Sequence, residues 1–301
     1  MTSPTRAGST RASTPRPGFA QRGAHEGARV GARKPGRKGG RNNGWLPQQH
    51  GAWAMLVVPW LVGLLLAQRA GVLDAARVLL GPAWLLGYLA FNAATLMTKA
   101  APVRRAAYRR PLAVYGASAL LLGGTAVVLG GPQVLWWGLA GALLVALALL
   151  LTRQKKERSL LAGVVSILAG TGVGVVTRYW APAEVLSATG TELATLAATV
   201  AYFAGTVFTV KTMIRQRGSR GWLAASIGYH VLLLAGVAVA ALVGWLGWAW
   251  LVLAVLLLAR AVWEPTTLDS RPLTVLQIGL IEVAASVLLL VAAVIGTGGS
   301  A

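Results

Sequence analysis

Residues 112–151 read LAVYGASALLLGGTAVVLGGPQVLWWGLAGALLVALALLL, and this stretch, which contains no charged side chain, decides the fold. A helix needs about 20 apolar residues to cross the hydrocarbon core of a membrane, so the stretch has the length of two crossings. Gly130, Gly131 and Pro132 stand at its middle and are typical of a tight turn. Because backbone polar groups must be satisfied within the segment in lipid, the stretch predicts two membrane-spanning helices.

The same pattern recurs from Trp45 onward, with apolar runs separated by short breaks that contain Arg, Lys, Gly or Pro. It predicts an all-α, polytopic transmembrane helix bundle of about nine helices. The predicted spans are about 51–68, 79–98, 112–130, 133–151, 160–177, 194–210, 222–243, 245–262 and 273–295. The turns at 130–132 and at Gly244 are so short that either pair of spans could instead be one interrupted segment.

The composition excludes an ordinary soluble protein. Hydrophobic residues make up 56% of the 301 residues and charged residues 12%, whereas soluble domains carry about 25% charged residues. Cysteine is absent and histidine occurs three times, with no metal-site spacing, so we expect no metal and no cofactor. Neither a phosphate-binding P-loop nor a GxSxG motif occurs.

The positive charges are distributed unevenly along the chain, which has a net charge of +20. Ten of the 28 cations lie in residues 1–44, which we predict to be a disordered basic cytoplasmic tail before a transmembrane domain at 45–301. With the tail, alternate breaks hold 25 of the 28 cations. By the positive-inside rule, the N-terminus is then cytoplasmic and the C-terminus outside.

We therefore expect a multi-pass protein of a bacterial inner membrane, in contact with membrane lipids and with no specific nucleic acid. Nothing in the pattern sets an oligomeric state.

Two basic breaks, after the second and sixth spans, are candidate ligand sites. Their candidate residues are Lys99, Arg105, Arg110, Lys211 and Arg215, with His50 at the cytoplasmic edge of the first span. Arg binds phosphate or carboxylate oxygens bidentately and Lys acts as a point charge, so two such breaks at one cavity would form an anion site. The alternative is that these cations only record membrane orientation.

Polar residues inside the predicted spans are further candidates, because an ionisable group in lipid is costly unless it has a partner. His230 and Glu282 each lie about 12–14 Å from the cytoplasmic end of their helix, which allows them to pair. Such a pair is either structural or a proton or substrate site, and Gln277 lies on roughly the same side as Glu282. Asn92 in the second span is typical of an interhelical hydrogen bond. Arg260 and Glu264 are assigned to the break after the eighth span.

The segment PQQHGAWAMLVVPWLVG at 47–63 resembles the opening signature of the YwiC-like family of bacterial integral membrane proteins. The resemblance continues through RRPLAVYG at 109–116 and covers most of residues 45–295. It implies a bacterial inner-membrane protein and supplies no reaction.

A more distant likeness is to the UbiA-type prenyltransferases, nine-helix proteins whose functional loops follow helices two and six. Phe91-Asn92 and Arg110-Pro111-Leu112 resemble the flanks of the first aspartate-rich motif of that family. The aspartates themselves are missing, and cations stand in both loops. Mg²⁺ requires hard oxygen ligands and would be repelled by these cations, so the metal-dependent mechanism is not carried over.

Three functions remain open at this point. The first is binding, with or without chemical processing, of an anionic lipid or isoprenoid-phosphate-like ligand at the cytoplasmic side. The second is a transporter or channel for a small anion, for which the glycine-rich fifth span could supply a discontinuous helix; close packing of small residues explains those glycines equally well. The third is a non-catalytic membrane scaffold.

Overall fold

The computed structural model describes residues 44–47, 50–156, 159–267 and 273–296. Within them the regular structure is helical, and nine α-helices follow one another along the chain. Their bounds are α1 His50–Arg69, α2 Ala75–Lys99, α3 Ala106–Gly130, α4 Trp137–Arg153, α5 Leu160–Arg178, α6 Gly190–Val210, α7 Arg220–Leu242, α8 Trp248–Thr267 and α9 Val275–Gly296. The prediction of a disordered tail at 1–44 lies, apart from Gly44, outside the described residues.

The polytopic helical bundle predicted from the sequence is confirmed. Eight helices in the described part of the chain, α2 to α9, are long and apolar enough to cross a membrane. The fully described part of α1, Trp53–Arg69, is shorter, but its twenty residues from His50 extend about 30 Å at 1.5 Å per residue. Each predicted span therefore corresponds to one helix.

Some helix ends differ from the predicted bounds. Helix α2 begins at Ala75, earlier than the predicted 79, because the Asp74 side chain accepts a hydrogen bond from the Arg77 backbone N–H and caps it. Helix α3 begins at Ala106 and includes Pro111, which was expected to precede the helix. Helix α8 continues to Thr267, so Arg260 and Glu264 lie within it and their assignment to a connection was wrong.

One end of the bundle is joined by hydrogen bonds between the ends of different helices. Arg69 at the end of α1 donates to the carbonyls of Ala293 and Val294 near the end of α9. Further contacts there join Arg77 to Thr177, Trp137 to Tyr179, Trp180 to Gly131, Arg178 to Glu192, Trp245 to Gly190, and Gly247 to Gly296. The starts of the even-numbered helices thus meet the ends of the odd-numbered ones, so successive helices run in opposite directions.

This end is called the neutral face, because its described charged residues are three cations and three acids: Arg69, Asp74, Arg77, Arg178, Glu184 and Glu192. The opposite end is called the basic face. Its connections carry Lys99, Arg104, Arg105, Arg109, Arg110, Arg153, Lys155, Lys156, Lys211, Arg215, Arg217 and Arg220. The neutral face corresponds to the side predicted to be external, and the basic face to the side predicted to be cytoplasmic.

Helix α1 packs against α2, α5, α6 and α9 and contacts α5 most closely. A Cβ added to Gly63 would lie 2.5 Å from the Gly174 carbonyl oxygen, and one added to Gly174 would lie 2.5 Å from that of Pro59. Helix α5 is continuous from Leu160 to Arg178. Its glycines therefore allow close helix packing, and the alternative of a discontinuous helix is wrong.

Helices α2 and α3 form a hairpin that packs mainly on itself and touches α1, α4 and α5 through α2. Trp60 of α1 fits against Gly81 of α2, where a Cβ would overlap its ring, and donates to the Arg77 carbonyl at 3.1 Å. The apolar core lies on the other side of α1, among α5, α6, α8 and α9. It includes Tyr202, Trp250 and Leu289, which are almost fully buried.

Candidate functional site

The connection between α2 and α3 concentrates positive charge at the basic face. Helix α2 ends at Lys99, a short 3-10 helix covers Pro102–Arg104, and α3 begins at Ala106. Five cations in the twelve residues from Lys99 to Arg110 are exposed: Lys99, Arg104, Arg105, Arg109 and Arg110. Arg105 donates from Nε to the Ala100 carbonyl at 3.3 Å, which orders the turn. The predicted candidates Lys99, Arg105 and Arg110 thus lie close together along the chain, from the last residue of α2 to the second turn of α3.

The first turn of α3 has no side-chain cap. The start of α4 likewise has no side-chain cap, whereas the side chains of Asp74, Ser159, Thr189 and Ser219 cap α2, α5, α6 and α7. The first turn of α3 contains no acidic residue either. The backbone N–H groups and the dipole of a helix start favour an anion. The N–H groups of Arg104, Arg105 and Tyr108 are already bonded to nearby backbone carbonyls, so the helix dipole is what adds to the attraction of the arginines for negative charge.

The chain before α1 packs on the same part of α3. The Tyr115 hydroxyl donates to the Trp45 carbonyl at 2.8 Å, and the two rings meet edge to face with centroids 5.5 Å apart. Gly44 has φ +83°, and a Cβ there would lie 2.8 Å from the Tyr108 ring. His50 is the first residue of α1 at this face, and its side chain lies outside the described part of the structure.

The second basic connection, after α6, is built differently. A π-helical turn, Lys211–Arg215, continues α6. The Lys211 ammonium lies 5.3 Å from the centroid of the Trp222 ring, a cation–π contact, while Arg215 is exposed. This turn packs on α6, α7 and α8, whereas the α2–α3 hairpin packs on α1, α4 and α5. None of the main packing contacts brings the two basic connections together.

A cluster of charged side chains is buried between α8 and α9. Arg260 donates from Nε to Glu264 Oε1 at 3.1 Å, and its Nη2 donates to Glu282 Oε1. Glu264 and Glu282 are only 3% and 6% exposed. The sequence had suggested that Glu282 could pair with His230. In the structure Glu282 pairs with Arg260 instead. The second oxygen of Glu282, Oε2, is buried and has no hydrogen-bond partner in the part of the chain that the structure describes.

Neighbouring helices add neutral polar groups to this cluster. The Tyr202 hydroxyl of α6 lies 3.0 Å from Ser286 Oγ, and Ser286 donates to the Glu282 carbonyl at 2.8 Å. His230 of α7 is buried, lies within electrostatic range of Arg260, and donates from Nδ1 to the Ser226 carbonyl at 2.7 Å. His230 and Glu282 therefore belong to one polar region in the same half of the bundle.

The other two intramembrane candidates lie elsewhere. Asn92 is part of α2, and its buried Nδ2 donates no hydrogen bond to the described residues. Gln277 is exposed at the start of α9. Its Oε1 accepts from the Thr274 backbone N–H at 2.9 Å, and its own N–H donates to Thr274 Oγ1. This reciprocal arrangement is a capping box, which explains Gln277 without a ligand.

Arg260 is the functional candidate that sequence reasoning missed. Its cation was counted toward the positive-inside pattern and placed in a connection. The signal was present as the spacing of Arg260 and Glu264, four residues apart in LLLARAVWEP, which brings the two side chains onto one helix face. A cation at the end of a long apolar run, with a carboxylate four residues later, indicates a buried ion pair.

Comparisons with known proteins agree with the fold and the motifs. The profile of the family described as YwiC-like protein matches residues 46–178. The uncharacterized protein YwiC of Bacillus subtilis is 30% identical over 188 residues, which cover 62% of this chain and 74% of that protein. An uncharacterized protein of Haemophilus influenzae is 28% identical over 255 residues, 82% of this chain and 98% of that protein. No solved structure matches the chain. The nine-helix protein described here therefore belongs to the YwiC-like family.

Proposed function

We propose that the protein binds the phosphate-bearing headgroup of an anionic lipid at the connection between α2 and α3. The observation that carries the proposal is the start of α3, a membrane-spanning helix that begins without a side-chain cap among five exposed cations. Each charge-assisted hydrogen bond from Arg to a phosphate oxygen is about twice as strong as a neutral one. The helix dipole acts in the same direction.

The lipidic nature of the ligand is supported by the surface of α3 below the cations. Leu120, Leu121 and Val128 are 71–83% exposed, which fits contact with hydrocarbon chains. A ligand with a phosphate group and an apolar tail would place the phosphate at the start of α3 and its tail along this surface. A free small anion would use only the first of these two features.

An isoprenoid phosphate is the ligand class that the distant likeness to the prenyltransferases supports. In this chain the cations of the α2–α3 connection replace the metal-binding aspartates of that family and would contact the phosphate directly. The proposed activity is binding of the ligand. The connection after α6 is given a lesser role, because Lys211 is already engaged with Trp222.

Anion transport is supported less well. The helix that could have supplied a discontinuous segment, α5, is continuous from Leu160 to Arg178. A scaffold role would depend on the basic tail, whose residues lie outside the described part of the chain.

The test is binding of a fluorescent polyisoprenyl phosphate to the full-length protein in nanodiscs of neutral lipid. The variant Arg105→Gln/Arg109→Gln/Arg110→Gln should bind at least about tenfold more weakly, because a loss of about 1.4 kcal/mol or more is expected from three charge-assisted contacts. The matched control is Arg153→Gln/Lys155→Gln/Lys156→Gln, which removes three exposed charges at the same face beside a helix C-terminus.

The control variant should keep its affinity within about twofold, because the dipole at the end of α4 disfavours anions. Equal losses in the two triple variants would mean that only general positive charge attracts the ligand, and the proposal would be abandoned. Equal binding of the matching uncharged polyisoprenol by the unchanged protein would likewise rule out headgroup recognition.

A further inference from the structure

The charges of the buried cluster between α8 and α9 do not balance. Arg260 contributes one positive charge, and Glu264 and Glu282, both in contact with it, contribute two negative charges when ionised. All three lie within membrane-spanning helices, and both carboxylates are more than nine-tenths buried. An uncompensated charge at such a place costs several kcal/mol, so the excess negative charge needs a neutralising partner.

The surrounding helices supply no second cation among the described residues. From α6 the cluster meets the Tyr202 hydroxyl, and from α7 it meets His230, whose Nδ1–H is used by the Ser226 carbonyl. The only ionisable side chain of the described part of α1 is Arg69, bonded to α9 carbonyls at the neutral face. On the turn that packs against α8, Lys211 lies over Trp222 and Arg215 is exposed.

The second observation is the unpartnered oxygen. Glu282 Oε1 accepts from Arg260, but Oε2 is buried and accepts no hydrogen bond from the described residues. A buried carboxylate oxygen without a donor is costly in free energy, because its hydrogen bonds to water are lost and no hydrogen bond within the protein replaces them. The position of the excess charge and the position of the missing partner therefore coincide at one atom.

From this coincidence we infer that Glu282 Oε2 is a proton-binding site. A proton taken from water converts the carboxylate to a carboxyl group, and the cluster changes from one net negative charge to none. A metal ion is a poorer occupant, since no group of three or more His, Asp or Glu in the described chain could hold one. Divalent cations also need about six oxygen ligands, and the cluster offers one unused carboxylate oxygen.

The proton would exchange with the basic face. Glu282 is seven residues from the start of α9, which is about 10 Å along the helix from that face. Toward the neutral face lies a narrow crevice, lined by Tyr202 and otherwise by apolar side chains such as Leu233, Trp250 and Leu257. An apolar crevice of this kind does not conduct protons. Exchange through the neutral face is thus disfavoured, and the site is independent of the headgroup site at α3.

The test is infrared spectroscopy of the full-length protein in nanodiscs in D₂O, where a protonated carboxyl group gives a carbonyl band separate from carboxylate bands. The unchanged protein should show this band at neutral pH, and Glu282→Gln should lose it. Glu184→Gln is the matched control, because that side chain is 40% exposed at the neutral face. This variant should keep the band.

Glu264→Gln tests the charge balance itself. With Glu264 neutral, Arg260 and an ionised Glu282 balance each other, so the band should disappear although Glu282 is present. Absence of the band from the unchanged protein would overturn the inference whatever the variants do. Retention of the band in Glu282→Gln, or in Glu264→Gln, would overturn it as well. Monodisperse elution of each variant in size-exclusion chromatography controls for folding.

Discussion

Arg260 shows how a single side chain can serve two carboxylates inside a membrane bundle. Its guanidinium presents several N–H donors in a fixed plane, so Nε reaches Glu264 on its own helix while Nη2 reaches Glu282 on α9. Lysine, with a compact ammonium, lacks this forked geometry. The residue therefore links α8 to α9 at a depth where water does not compete for these hydrogen bonds.

Arg260→Met should destabilise the protein strongly, because it removes the guanidinium that pairs with the buried side chains of Glu264 and Glu282. Removal of one partner from a buried ion pair typically costs about 3–5 kcal/mol. The triple variant Arg260→Met/Glu264→Gln/Glu282→Gln should recover much of that loss, since it contains no buried charge. Thermal unfolding in detergent measures both, with Arg215→Met as an exposed control. A triple variant no more stable than the single one would contradict this view of the cluster.

At the neutral face, single side chains form hydrogen bonds and ion pairs between the ends of different helices. Arg178 pairs with Glu192, and the Glu192 carboxylate also accepts from the Tyr179 hydroxyl at 3.3 Å. Burial raises the pKa of Tyr179 to about 12, and the nearby Glu192 carboxylate acts in the same direction. All three side chains are thus used in joining α5 to α6, and we assign them a structural role.

At the scale of helices, the α1–α5 pair depends on glycine. The Gly174 Cα faces Pro59, while Gly172, two residues earlier on the same helix, has nothing within 4 Å of an added Cβ. A glycine that faces a neighbouring backbone and a glycine that faces open space look alike in LAGTGVGVV. Only the packing of the two helices distinguishes them.

Gly174→Ala should therefore destabilise the bundle by about 1–3 kcal/mol, the usual cost of overpacking. Gly172→Ala should be neutral or slightly stabilising, because alanine favours a helix over glycine by up to about 1 kcal/mol where space allows. Thermal unfolding of the two variants side by side provides the comparison. Equal effects of the two substitutions would show that α1 and α5 do not approach as closely as described.

The helices themselves were predictable because each apolar run has the length of one crossing, as in the two runs on either side of Gly131. Their ends were less predictable, since a cap such as Asp74 adds a turn before the apolar run begins. The basic connection at Arg105 was also predictable from charge. The partner of Glu282 was not, because sequence spacing sets depth within a helix but not which helices are neighbours.

At the scale of the whole molecule, the two faces of the bundle differ in charge. The neutral face is balanced and joined by hydrogen bonds between helix ends, with Arg69 linking α1 to α9. The basic face carries its cations on exposed connections. By the positive-inside rule this asymmetry predicts that the basic face is cytoplasmic, where the proposed headgroup site would meet the inner leaflet.

Because the chain contains no cysteine, this orientation can be tested with single introduced thiols. Ser187→Cys lies at an exposed position of the neutral face, and Lys155→Cys lies at one of the basic face. A membrane-impermeant maleimide should label Ser187→Cys in intact spheroplasts and Lys155→Cys only after permeabilisation. The reverse pattern would invert the orientation and move the proposed site to the outer leaflet.

The most direct test of the central claim, that the start of α3 binds a lipid phosphate, is mass spectrometry of lipids that co-purify with the full-length protein. The account predicts a phosphate-bearing lipid with the unchanged protein and with Arg153→Gln/Lys155→Gln/Lys156→Gln. That lipid should be depleted from Arg105→Gln/Arg109→Gln/Arg110→Gln. Equal amounts of it on both triple variants would contradict the account.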